Sequence, residues 1–180
     1  MTTATPPSDA APGAIAFIGL GANLGDARAT LREALNALQP LALAGSFAAS
    51  SLYGSTPVDS SGPDYVNAVA RLRTTLAPHA LLDALQAIEQ RFGRDRPYRN
   101  APRTLDLDLL LFGVQGHDGG LEMSDSRLTL PHPRAAQRTF VLEPLAQLWP
   151  GGEIPGAGRV AELLARARHD PTQRVHRLDV

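Results

Sequence analysis

Two periods of apolar residues alternate along the chain, and each change of period marks an element. Residues 14–21, "AIAFIGLG", are almost continuously apolar and run into "GANLGD", which predicts a buried strand ending in a glycine loop. Asp26 stands where an N-cap belongs, ahead of "ARATLREALNAL" (27–38), whose Leu31, Leu35 and Leu38 recur at helical spacing. Residues 46–53 predict a second strand and 54–64 a long polar loop. Over 65–74, Val66, Ala68, Ala70 and Leu72 alternate with Asn67, Val69, Arg71 and Arg73, the two-residue period of a strand. Pro78 opens a second helix through about Phe92, with Leu81, Leu82, Leu85, Ile88 and Phe92 on one face and Gly93 as its stop. "RTLDLDLLLF" (103–112) reads as a strand by its length and apolar content.

The order β-α-β-β-α-β is the ferredoxin-like arrangement. It predicts an α+β fold with a mostly antiparallel sheet and both helices packed on one face. A C-terminal extension follows: a short strand, a proline turn and helical turns over 127–148, loops at 113–126 and 150–158, and a last helix near 159–167. Residues 1–13 read as a disordered tail, without the basic start and apolar centre of a signal peptide. Residues 14–180 are expected to form a single domain.

Asp106 and Asp108 disturb this pattern. Residues two apart on a strand share a face, so both carboxylates point the same way, roughly 7 Å apart. Leu105, Leu107 and Leu109 to Leu111 imply a central strand, where two like charges repel and lose hydration unless something positive neutralises them. Magnesium fits that need, being a hard cation that takes one or two carboxylates with phosphate oxygens and water. An Asp-x-Asp alone is weakly specific, but its surroundings add weight. Arg91, Arg94, Arg96, Arg99 and Arg103 face one acid, Asp95, leaving a local charge of +4 over residues 91–103. Guanidiniums beside metal-holding carboxylates suit a polyphosphate. A second basic segment carries Arg127, Thr129, His132, Arg134 and Arg138; His132 either contacts phosphate, acts as an acid or base, or holds a turn. Tyr65 and Asn67 share a strand face, where a ring can stack on a heterocycle and an amide can read its edge.

Composition prunes the alternatives. Cysteine and lysine are both absent, and all seventeen basic residues are arginine. Disulfides, thiolate metal sites, a Walker A lysine and Schiff-base chemistry are therefore excluded. A net charge of −1 and 5% aromatics argue against a nucleic-acid-binding module. No apolar run reaches the length of a membrane span, so the chain is expected in the cytoplasm. "GLGANLG" nearly matches a dinucleotide fingerprint, but the third glycine is one position late and the element order is wrong for that fold. A tight turn bringing backbone and Asn23 near a site is the more modest expectation. His79, His117, His169 and His176 read as surface residues without partners at ligand spacing.

With these residues in hand, the chain resembles the 6-hydroxymethyl-7,8-dihydropterin pyrophosphokinase family over about residues 15–149. The resemblance rests on "IGLGANLGD", "SSLY…P", "PDYVNA", "RTLDLDLLLFG" and "LTLPHPR", in the family's order. It implies transfer of the β,γ-diphosphate of ATP to the pterin's hydroxymethyl oxygen, with release of AMP, in folate biosynthesis. It also implies two magnesium ions, bound with ATP by Asp106 and Asp108. Arg94 and Arg103 join these two as catalytic residues. Nucleotide contacts fall on Gln86, Glu89, Arg94, Arg96, Arg103, Arg127, Thr129, His132 and Arg138. Pterin contacts fall on Ser55, Thr56, Pro57, Val58, Tyr65, Asn67 and Phe140. The implied partners are these two substrates alone, with a monomer as the working unit and no nucleic acid or membrane. The loop over 94–103 is expected to close when both substrates are bound. Three positions depart from the family pattern: Asn100 where many members carry tryptophan, Ser55 where threonine is common, and Pro133 where some have an aromatic residue. Two other readings stand beside this one: another magnesium-dependent nucleotidyl or glycosyl transferase, and a non-catalytic ferredoxin-like ligand-binding module.

Overall fold

The computed structural model describes residues 13–57, 61–93, 104–114 and 120–179. Its centre is strand β1 (Ala14–Ala22), paired antiparallel on both sides, with β4 (Tyr65–Thr74) and with β5 (Asp106–Val114). Beyond β4 lie β2 (Ala48–Ala49) and β3 (Tyr53–Ser55), and β10 (Val175–Arg177) adds to β3, giving the order β10-β3-β4-β1-β5 with β2 also on β4. Every pairing is antiparallel.

Helices α1 (Ala27–Leu38) and α2 (Pro78–Arg91) follow the apolar periods already noted. The Asp26 side chain caps α1 by accepting the Ala29 N–H at 3.0 Å, and Pro78 pre-sets the first turn of α2. Leu31, Ala34 and Leu38 of α1 and Leu81, Leu85 and Ile88 of α2 cover one sheet face. There they join Ala16, Ile18 and Leu20 of β1, Ala68, Ala70 and Leu72 of β4, and Leu107 and Leu109 of β5.

The opposite face is covered by the extension. Helices α3 (Thr139–Leu148) and α4 (Val160–Ala167) bury Val141, Leu142, Leu145, Leu163 and Leu164 against Phe17, Val69, Leu110 and Leu111. Two small hairpins form, β6–β7 (Met123–Ser124, Thr129–Leu130) and β8–β9 (Glu153–Ile154, Gly158–Arg159); β7 is the short strand expected at the start of 127–148, while β6 and β8 fall in segments expected as loops.

Three further expectations need correction. The strand expected over 46–53 is divided, because Ser50 interrupts the ladder: its Oγ accepts the Val69 N–H at 3.0 Å. Three residues, 50–52, then oppose two on β4, a bulge that restarts pairing at Tyr53. β1 keeps Gly21, as the predicted strand 14–21 did, but runs on through Ala22, so the glycine loop starts later than expected and its positive φ belongs to Gly25, at 58°. Last, β5 is an edge strand, not a central one. It is nonetheless shielded, because the Leu121 and His132 N–H groups, each at 2.8 Å, donate to its Phe112 and Leu110 carbonyls.

Candidate functional site

Antiparallel partners share a face, so the ladders show what lies beside the acid pair. Asp106 pairs with Gly21 and Asp108 with Gly19; across β1, Gly21 pairs with Asn67 and Gly19 with Val69. On the face covered elsewhere by α3 and α4, one row therefore reads Tyr53–Asn67–Gly21–Asp106. The middle strand contributes no side chain there. A Cβ on Gly21 would meet only the Asn67 Oδ1, at 3.5 Å, and no positive φ demands glycine at that position. What results is an open lane between an amide wall and an acid wall.

The amide wall is built from β4 and β3. Asn67 is buried, and its Nδ2 donates to the Ser55 Oγ at 2.8 Å. That bond fixes the carboxamide rotamer and leaves the oxygen over Gly21. Tyr65, two residues earlier, shares the face and is half-buried. Phe140 opens α3, which packs on β4, and the Arg138 guanidinium lies 5.4 Å from its ring centre. Beside the lane, the Asn23 Nδ2 donates to the Pro63 carbonyl at 3.3 Å and steadies the chain leading into Tyr65. The Asn23 Oδ1 is buried without a partner.

The acid wall borders a cleft of about 330 Å³, lined by Asp108, Leu82, Leu107, residues 125–129, His132 and Pro133. Asp106 and Asp108 are both half-buried. The Asp125 Oδ1 accepts the N–H groups of Arg127 (2.8 Å) and Leu128 (2.9 Å), and these bonds hold its carboxyl below the usual carboxylate range. His132 follows the cis Leu130–Pro131 bond, and its Nδ1 accepts the Arg134 N–H at 3.2 Å. Burial and the nearby Arg138 push its pKa down, partly offset by Asp106, so the ring is neutral at pH 7. With Nδ1 accepting, Nε2 carries the proton and is a donor.

The structure brings Asp108, Arg127, Thr129 and His132 into this one cleft, and Ser55, Tyr65 and Asn67 onto the adjoining lane. Arg127 is exposed and ion-paired with Asp83; the Thr129 Oγ1 lies 3.2 Å from the Ser124 Oγ. Thr56 is exposed and Pro57 half-buried just beyond β3. Gln86 is exposed on α2, while Glu89, one turn on, is buried with its Oε1 on the Leu107 N–H at 2.8 Å. Val58, Arg94, Arg96 and Arg103, and the loop expected to close over 94–103, lie outside the described residues. His79 lies at the surface, as read from the sequence, and its Nε2 is 2.7 Å from the Asp125 Oδ2. That pair joins residues 46 apart, a spacing no local motif reveals. The glycine lane was also missed, since its signal was hidden by the likeness to a turn.

At the level of class, paired carboxylates beside a cleft with a neutral histidine donor and an arginine suit a transferase that works on phosphate chains. The family model described as 7,8-dihydro-6-hydroxymethylpterin-pyrophosphokinase (HPPK) matches residues 17–150, and the chain belongs to that family. A relative from Pseudomonas aeruginosa, 2-amino-4-hydroxy-6-hydroxymethyldihydropteridine pyrophosphokinase, is 44% identical over 160 residues, covering 88% of this chain and 95% of its own. One of the same name from Haemophilus influenzae is 40% identical over 150 residues, covering 83% and 90%. Among solved structures, an HPPK-DHPS in complex with substrates superposes with a TM-score of 0.69 at 14% identity, over 94% of this chain and 47% of that one. Plasmodium falciparum HPPK-DHPS gives 0.70 at 13% identity, over 93% and 48%. The chain thus spans about half the length of these solved chains, which at such identity share its fold. It is a pyrophosphokinase, a diphosphotransferase of folate biosynthesis. Among the described residues, no helix is long and apolar enough to cross a membrane.

Proposed function

We propose that this chain transfers the β,γ-diphosphate of ATP to the hydroxymethyl oxygen of 6-hydroxymethyl-7,8-dihydropterin. The bond between the β-phosphorus and the oxygen bridging it to the α-phosphorus breaks, the hydroxymethyl oxygen bonds to the β-phosphorus, its proton passes to water and AMP is released. The observation that carries this reading is the register Asn67–Gly21–Asp106. Strands are about 4.8 Å apart, so the amide and the acid belong to backbones roughly 10 Å apart across an empty strand. A bicyclic heterocycle with a one-carbon arm spans that gap, its edge at Asn67 and its hydroxyl at the acid pair.

Within this reading, Tyr65 and Phe140 stack on the ring, and Asn67 reads its amide-like edge, with Ser55 locking the amide. Thr56, Pro57 and Val58 complete the pterin's surroundings. Neutral His132 donates to a phosphate oxygen, while Arg127, Thr129, Arg138 and Gln86 hold the nucleotide. Arg94, Arg96 and Arg103 supply positive charge around the transferred group. Asp106 and Asp108 are a donor set that fits hard divalent ions: two carboxylates facing one way, with Gly21 opposite Asp106 leaving room for phosphate oxygens and water. They would hold two magnesium ions, which, when bound, neutralise the phosphate oxygens and favour in-line attack. The proposed working unit is a monomer acting in the cytoplasm. Residues 14–180 are read as one domain, a reading supported by the pairing of β10 with β3.

Incubation with ATP, magnesium and the pterin should yield AMP in a pterin-dependent way. Release of ADP, or AMP formed equally without pterin, would overturn the proposal.

A further inference from the structure

The acid pair is held by more than the strand that carries it. Asp106 and Asp108 pair inward with Gly21 and Gly19 of β1, so Leu107 between them turns its N–H toward the open edge of the sheet. There the N–H meets Glu89 from the last turn of α2, whose Oε1 accepts it at 2.8 Å. Glu89 is only 2% exposed. Burying a carboxylate is costly, and a leucine in its place would extend the apolar face of Leu81, Leu85 and Ile88. The backbone at the acid pair is thus gripped from both sides, by β1 within and by α2 without. An edge strand gripped on one side alone frays, and cation binding tolerates displacements of only about 0.5 Å in its ligands.

We propose that Glu89 is a positioning residue for the acid pair. It acts through the Leu107 N–H, setting where the Asp106 and Asp108 carboxylates point, and it does so without touching the nucleotide. This inference rests on the reading of Asp106 and Asp108 as metal-binding residues. It assigns Glu89 a role different from the nucleotide contact that family resemblance implies.

The test uses the full chain, Mn2+ as the cation and α,β-methylene-ATP, whose α–β bridge cannot be cleaved. Calorimetry should show Mn2+ affinity in the presence of the analogue about tenfold weaker for Glu89→Leu, the effect expected for losing the buried hydrogen bond to the Leu107 N–H and the order it imposes. Glu89→Gln, which keeps an oxygen for the Leu107 N–H, should remain within about twofold of the parent. Exchange of the Leu107 amide should be slow in the parent and in Glu89→Gln but fast in Glu89→Leu. If Glu89→Leu does not fold, Glu89→Asp, one methylene too short to reach, should show the same loss. Parent-like Mn2+ affinity in the folded Leu or Asp variant would overturn the role, as would Glu89→Gln losing as much as Glu89→Leu. Weaker binding of the metal-free analogue to Glu89→Leu would also overturn it, because that marks direct contact with nucleotide. If Asp108→Ala abolishes Mn2+ binding while the Glu89 variants behave as the parent, the positioning role fails and the proposed reaction stands. If Asp106→Ala and Asp108→Ala bind Mn2+ normally, the metal assignment and this role fail together.

Discussion

Gly21 shows how one missing Cβ governs a site. Its backbone is extended and asks nothing of glycine, and a methyl group there would meet one oxygen at an ordinary 3.5 Å. Glycine in a strand costs roughly 0.5–1 kcal/mol relative to alanine. Gly21→Ala should therefore raise the melting temperature of the free protein slightly. It should also weaken pterin binding about tenfold, since overfilling a close-packed site costs about 1–3 kcal/mol. Thermal melts and a pterin titration, run side by side, check both halves of this exchange. His132 yields a second expectation. Its folded pKa lies below the ordinary value of about 6.5, so on acidification the unfolded chain takes up a proton before the folded one does. Stability should fall as pH drops through that value, until the folded pKa is passed. Urea unfolding of His132→Gln between about pH 7.5 and pH 5 should show a shallower decline than the parent. The shared face of Asp106 and Asp108 was legible in the sequence because a period of two leaves no alternative once the strand is granted. The lane beside them was not, because glycine announces loops and turns as readily as empty space.

At the scale of elements, α1, β4 and α2 could be read almost to the residue, each having a single apolar period and a clear stop. The elements that failed depend on side-chain substitutes for backbone pairing. Ser50 takes a ladder donor and splits β2 from β3, and β10 is three residues with no apolar period, whose only argument for being a strand is the edge they meet. That short strand has work to do. The Leu178 N–H donates to the Leu52 carbonyl at 2.9 Å, and the His176 ring lies over Gly54, so the segment clamps the strand carrying Ser55. Ending the chain after Gln173 should raise the pterin KM several-fold while shifting the ATP KM little, since the nucleotide cleft lies at the other edge of the sheet. Steady-state kinetics with each substrate varied in turn decides the matter. Equal shifts in both constants would mean that the clamp serves the whole fold.

At the scale of the molecule, the sheet separates two apolar clusters, one under α1 and α2 and the other under α3 and α4. Leu31 and Leu142 are each fully buried, on opposite sides. Leu31→Ala and Leu142→Ala should each cost about 2–5 kcal/mol. With no shared partner, their effects should sum to within about 0.5 kcal/mol in the double variant, as read by urea unfolding. The second cluster was the less legible part of the molecule, because Phe17, Val69 and Leu110 point away from the helices whose periods were plain. The sealing of β5 has a consequence of its own. Its outward Leu107, Leu110 and Phe112 groups already have partners in Glu89, His132 and Leu121, and the sheet's other margin is only three residues long. Among the described residues, neither side presents a long unpaired row on which another copy can zip. The contacts that aim the acid pair thus also keep the folded chain from polymerising, so crowding it should produce no fibres until residues 121–132 come away.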